Sequence, residues 1–119
     1  VIITLPWPNK RLSPNARVHR MASSRIKRNA RQEAALLARA ALGPTIKAIG
    51  AALAEAGSIE MTVTFYPPDR RHRDDDNMIA SFKAARDGIA DALGVDDRKF
   101  RPKYTIAEPC TPGRIEITL

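Results

Sequence analysis

Asp74-Asp75-Asp76-Asn77 and Asp96-Asp97 are the stretches of this sequence whose residue types and spacing bear on chemistry. On extended backbone Asp74 and Asp76 fall on the same side, two residues apart, which lets two carboxylates address one hard cation. Three adjacent aspartates repel one another unless a cation is present. Asp at a helix N-terminus also has an ordinary use, capping orphan N–H groups and complementing the macrodipole, but that accounts for one of the three and not for all. Asp96 and Asp97 follow the C-terminus of the same helix, where the macrodipole disfavours anions, so local stability gives no reason for them beyond a solvated acidic loop. A pair that breaks a local rule points to function. Lys83 shares a helix face with Asp76 and Asp87, and is either an i+4 salt-bridge partner of Asp87 or a cation aimed at a phosphate.

The charges are segregated. The 119 residues carry 20 Lys and Arg against 13 Asp and Glu, a net charge of +7, with 28% charged and 44% apolar residues. Lys10, Arg11, Arg17, Arg20, Arg25, Lys27, Arg28 and Arg31 fall within the first 32 residues, where no acid occurs. Such a field attracts polyanions, nucleic acid above all, because neutralising phosphates releases condensed counterions. A solvated basic helix face without a partner is the plainer alternative. Eight of the thirteen acids lie between Asp69 and Asp97. Carboxylates for a divalent metal, a nearby lysine and a basic arm together describe a metal-dependent phosphodiesterase. Mg²⁺ suits such a site, since it needs only one or two carboxylates plus waters and phosphate oxygens. His19 and His72 have no ligand-spaced partner, Cys110 is the single cysteine, and no Walker-type loop is present, so zinc, disulfides and nucleotide-cradling glycines are not expected.

These groups must be held by a single domain spanning residues 1–119, a length that supports one core. Val1–Leu5 reads as a strand stopped by Pro6-Trp7-Pro8. A basic loop over 9–22 leads to a helix from Ser23 or Ser24 to about Leu42, halted by Gly43-Pro44, and a second helix spans Thr45–Glu55. Ile59–Tyr66 alternates as a half-buried strand before Pro67-Pro68. The third helix runs from Asp76 or Asn77 to Leu93 with Gly94 at C′, burying Ile79, Phe82, Ile89 and Leu93. Tyr104–Ala107 and Arg114–Leu119 read as closing strands joined in a hairpin through Pro109–Gly113. The order β-α-α-β-α-β-β predicts an α+β, two-layer domain with a small mixed four-stranded sheet and helices packed on one face. No apolar run is expected to approach the ~20 residues of a membrane helix, which predicts a cytoplasmic protein without a membrane partner.

Nearly the whole chain resembles the RusA family of Holliday-junction resolvases, crossover-junction endodeoxyribonucleases of bacteriophages and prophages. The resemblance rests on Ile3-Thr4-Leu5-Pro6-Trp7-Pro8, Ser13-Pro14-Asn15, Pro68 through Asn77, Lys83-Ala84-Ala85-Arg86-Asp87-Gly88-Ile89 and Gly94-Val95-Asp96-Asp97. It implies that Asp74, Asp76 and Asp97 are the essential metal-site aspartates, with Asp96 auxiliary and Asn77 supporting. Lys83 matches the family's helix-borne catalytic lysine, although it lies about one turn further from Asn77 than in the best-known member. The resemblance further implies Mg²⁺ dependence, with Mn²⁺ as a substitute, a homodimer, and paired cuts in a DNA four-way junction in a bacterial or phage-infected cell. Lys10, Arg11, Arg17, Arg20, Arg25, Lys27 and Arg28, joined by Arg70, Arg71 and Arg73 beside the aspartates, are the candidate DNA contacts. A non-catalytic junction-binding module and an RNA-processing nuclease are the competing functions.

Helix length adds one expectation of its own. Asp76 and Asp97 bracket about 18 residues, so at ~1.5 Å per residue they stand roughly 27 Å apart, beyond the reach of one metal. Either the helix breaks, for which Gly88 is the only excuse, or a partner's helix supplies the missing carboxylates and the active sites are shared between subunits.

Overall fold

The computed structural model describes residues 1–119 as β1 (Ile2–Pro6), α1 (Arg20–Leu42), α2 (Ile46–Glu55), β2 (Ile59–Tyr66), α3 (Asp75–Leu93), β3 (Phe100–Ile106) and β4 (Arg114–Thr118). Short 3-10 turns lie at Lys10–Leu12, Gly43–Thr45 and Asp97–Lys99. This is the α+β order read from the sequence, with a mixed four-stranded sheet. Period-2 alternation decides its two faces: Ile3, Leu5, Ile59, Met61, Val63, Phe65, Ile115 and Ile117 are buried, and their neighbours along each strand are exposed or half-buried. Ala34, Ala38 and Leu42 of α1, Met78, Phe82, Ile89, Ala90 and Leu93 of α3, and Phe100 at the start of β3 complete one cluster of 17 buried apolar residues. The apolar stripe of α3 includes Met78, whereas Ile79 is half-buried at its outer edge.

The strand order is β1-β4-β2-β3, and this overturns the expected hairpin. β2 pairs parallel to β3 and antiparallel to β4, so it separates the two closing strands. Because α3 forms the crossover between parallel β2 and β3, one side of β2 is already occupied when the chain returns as β4. Residues 107–113 instead cross the end of β2, with Ala107 N–H donating to Phe65 O and Cys110 N–H to Pro67 O, both at 2.8 Å. β3 starts at Phe100, earlier than Tyr104, because Pro102 is tolerated on an edge strand.

α1 begins at Arg20 and not at Ser23 or Ser24, since His19 Nδ1 accepts the Met21 N–H at 3.2 Å and caps the helix. Contrary to expectation, the helical stretch Arg20–Glu55 is long and apolar enough, by length and composition alone, to cross a membrane. The 3-10 turn at Gly43–Thr45 divides that stretch into two helices.

α3 is unbroken, and Gly88 serves packing. A Cβ there would lie 2.1 Å from the Arg31 carbonyl oxygen of α1, so only glycine lets the two backbones touch. The contact sets Arg31 beside Asp91, where Nε–Oδ2 and Nη2–Oδ1 distances of 2.6 and 2.8 Å make a bidentate clamp. That hydrogen bonding holds the Asp91 carboxyl below its ordinary range.

Two outcomes follow for stability. Gly88→Ala gains about 1 kcal/mol of helix propensity but drives a methyl into backbone. We expect a net loss of about 1–3 kcal/mol, read from urea midpoints at unchanged m value. The unfolded chain protonates Asp91 before the folded one, so the clamp contributes fully above about pH 4 and is lost as pH falls through the lowered folded value. Thermal melts of Arg31→Met should therefore show a shallower loss of Tm below pH 4 than those of the parent protein.

Candidate active site

The candidate chemistry gathers at the two ends of α3. At its N-terminus the loop after Pro68 is organised by Arg73, whose side chain is only 15% exposed. Arg73 Nη1 lies 2.9 Å from Asp69 Oδ1 and donates to the carbonyls of Asp69 and Arg71, while its guanidinium stacks 5.5 Å over Trp7. Hydrogen bonding to Arg73 holds the Asp69 carboxyl below its usual range. Arg73 is thus a pin within the loop, in contrast to Arg70 and Arg71, which precede it and are exposed.

The pinned loop delivers Asp74 in extended conformation, φ −77° and ψ 126°, as the N-cap of α3. Its Oδ1 accepts the Asp76 N–H at 3.0 Å. The helix therefore starts at Asp75, and only Asp74 is extended, so the shared-side geometry expected for Asp74 and Asp76 on extended backbone does not form. The two are instead tied through one cap, with Asp75 and Asp76 exposed in the first turn where the macrodipole favours them. Asn77 is half-buried behind them, and its side-chain amide bonds to no group of the protein.

At the other end Gly94, at φ 70°, closes α3 in the left-handed region. Asp96 caps the next 3-10 turn, accepting the Arg98 N–H at 2.9 Å and the Arg98 guanidinium at 2.9 Å, which holds its carboxyl low. These bonds supply the local reason for Asp96 that the sequence alone lacked. Asp97 folds back along α3, with Oδ2 3.3 Å from Lys83 Nζ and 4.0 Å from Arg86 Nη2. The Lys83 hydrogen bond is the main cause of its lowered carboxyl pKa. Lys83 also pairs with Asp87, as the i+4 spacing predicts.

Because Asp97 turns back, the two carboxylate groups are closer than the full length of α3. Even so, seven residues, roughly 10 Å of helix, separate Lys83 from Asp76. No three His, Cys, Asp or Glu side chains of one chain come close enough together to hold a metal ion. Asp74 and Asp76 do have the donor chemistry for a hard cation that takes one or two carboxylates and completes its shell with water. Asp74 and Asp76 thus lie together at the head of α3, with Asp97 standing apart in an ion-pair network.

A groove of about 820 Å³ runs between the 3-10 turn at Lys10–Leu12, α1 and α3. Arg11, Lys27, Arg28, Arg31, Lys83 and Arg86 line it, with Asp87 as its sole carboxylate. Lys10, Arg11, Arg17, Arg20, Arg25, Lys27 and Arg28 are all exposed and none has a carboxylate within 4.0 Å, whereas Arg31 is spent on Asp91. Arg86 was missed as a site residue in the sequence, although its place three residues after Lys83 puts both on neighbouring faces of α3. Its Nε is buried without a partner in the protein.

No protein-family model matches the chain. It is 51% identical over 118 residues to an uncharacterised protein of Xylella fastidiosa (strain Temecula1), a match covering 98% of this chain and 74% of that protein. At that identity and coverage, the chain belongs to the same family as the Xylella fastidiosa protein.

Proposed function

We propose that the protein is a Mg²⁺-dependent, structure-selective DNA endonuclease of the RusA type, which resolves four-way junctions by paired phosphodiester hydrolysis. The observation that carries this reading is the exposed Asp74–Asp76 cap, whose Asp74 borders a cavity that shares Ser13 and Ser81 with a groove walled by cations. Carboxylates next to a polyanion site weaken binding unless a cation lies between them, so the juxtaposition suits hydrolysis better than simple binding. Asp74 and Asp76 are the residues that would hold the metal, which supplies charge neutralisation and an activated water when bound. The basic arm holds the phosphates. Arg73 keeps the loop in place and drops out of the set of direct DNA contacts.

The straight α3 and the missing third carboxylate favour a homodimer in which Asp97 of one protomer completes the site of its partner. A two-fold axis would repeat that arrangement, giving two sites for two opposing strands. Lys83 neutralises Asp97 and Asp87, so its service to a phosphate requires that the network opens. That same network favours the second reading, a junction-binding module without catalysis, in which Asp97 only orders the turn after α3.

Cleavage of a synthetic four-way junction, a linear duplex and an RNA hairpin, each with and without Mg²⁺, separates these readings. Metal-dependent cutting of the junction alone supports the proposal; binding without cutting supports the module, and cutting of the hairpin an RNA nuclease. Asp74→Asn should abolish cutting while metal-free junction binding stays equal or tightens, since an amide relieves repulsion but is a poor Mg²⁺ ligand. Mixing Asp74→Asn with Asp97→Asn protein under subunit exchange should restore nicking from two inactive parents if the site is shared. Replacing Arg25, Lys27 and Arg28 together should reduce the salt slope of duplex-like binding by up to about three contacts, roughly 0.9 log unit each.

A further inference from the structure

A second cavity, of about 290 Å³, opens between the Pro6-Trp7-Pro8 segment and the head of α3. It adjoins the basic groove, since Ser13 and Ser81 line both. Its floor is apolar, formed by Phe65 and Met78, which are buried. Trp7 stands edge-on to Phe65 at 6.2 Å and carries the Arg73 guanidinium over its ring, so one wall is a stack of flat groups. Polar residues on its walls include Asn77, whose amide is unpaired, Asp74, and the basic Lys10, Arg71, His72 and Arg73. A small cavity with an apolar floor and convergent polar groups is a common form of small-ligand site, and this one lies just under the usual size range of about 300–1,000 Å³.

We infer that this cavity receives one unpaired nucleobase of the nucleic acid whose backbone lies in the adjoining basic groove. The inference rests on the proposed nucleic-acid reading and adds to it a means of discriminating bases next to the point of cutting. Three features select a base over other small ligands. A planar ring gains from aromatic and guanidinium faces and an apolar floor, as unpaired bases do elsewhere. The Asn77 amide offers a donor and an acceptor side by side, matching the hydrogen-bonding edge of a base. Continuity with the cationic groove supplies the phosphates that would enter with the base. A base within a duplex is held between its partner and its stacked neighbours and must leave the stack to enter a cavity, so the site would act on single-stranded or unstacked segments. Asp74 borders both the base and the proposed cutting site, which places the recognised nucleotide beside the phosphate to be cleaved.

Trp7 is the only tryptophan, so its fluorescence reports this cavity and no other. The probes are an end-labelled eight-nucleotide DNA, the same backbone with every base removed, and inorganic polyphosphate, each titrated without metal into the full-length protein. Label anisotropy for the two DNA probes, and competition against the labelled DNA for polyphosphate, measures binding separately from quenching. We expect base-bearing DNA to quench Trp7 and to bind about tenfold tighter than the abasic backbone, by the strength of base stacking. Polyphosphate should compete without quenching. Asn77→Ala should weaken the base-bearing probe and leave the abasic probe unchanged. Equal binding of both DNA probes without quenching overturns the base cavity while leaving nucleic-acid binding intact. Failure of every probe to bind overturns both this inference and the nucleic-acid reading beneath it.

Discussion

The close passage of α1 over α3 at Gly88 is the constraint on which the rest of this molecule depends. With no side chain at that position, the carbonyl of Arg31 sits where a methyl group would otherwise be, and the two helices pack backbone to backbone. Three consequences follow from one missing carbon. Arg31 reaches Asp91 in a two-point clamp, which fixes rotation about the contact. The exposed cations of α1 face the polar side of α3 across a single groove. Phe82, Ile89 and Leu93 are held on the opposite side of α3, where the sheet's apolar face needs them. A larger residue at 88 would open the helix pair and alter the groove, the clamp and the core together.

Cations in this protein divide by whether they have a partner. Arg31, Arg73, Lys83, Arg98 and Arg114 are within reach of carboxylates and organise the fold around them. Most of the basic arm is unpaired and exposed. The ion pairs are themselves largely solvent-exposed, so each contributes little to net stability and more to orientation. Asp97 shows this best: its bond to Lys83 turns the segment after Gly94 back along the helix and sets where its carboxylate can act. The unpaired cations carry a cost in mutual repulsion that folding does not repay, and a polyanion would relieve it.

Much of this was legible in the sequence. β2 was read to the residue, because alternation over eight positions followed by two prolines leaves no other register. The C-terminus of α3 was equally clear from Gly94, the left-handed cap, and the i+4 pairing of Lys83 with Asp87 from spacing alone. Helix starts were less certain: His19 and Asp74 cap through short-range geometry that several neighbouring polar residues could equally have supplied.

What the sequence by itself determined are the local properties: apolar periodicity, breakers, charge segregation, and the residue types available for chemistry. Only the tertiary structure decided which strands are neighbours, and so replaced a β3–β4 hairpin by a connection across the end of β2. A Pro- and Gly-rich loop suits either path, and the choice belongs to the α3 crossover that fills one side of β2. The structure likewise decided that Arg73 is a loop pin, that Arg86 lines the groove, and that Trp7 walls a cavity with Asn77. These roles depend on contacts between residues dozens of positions apart, whose energies no local spacing encodes.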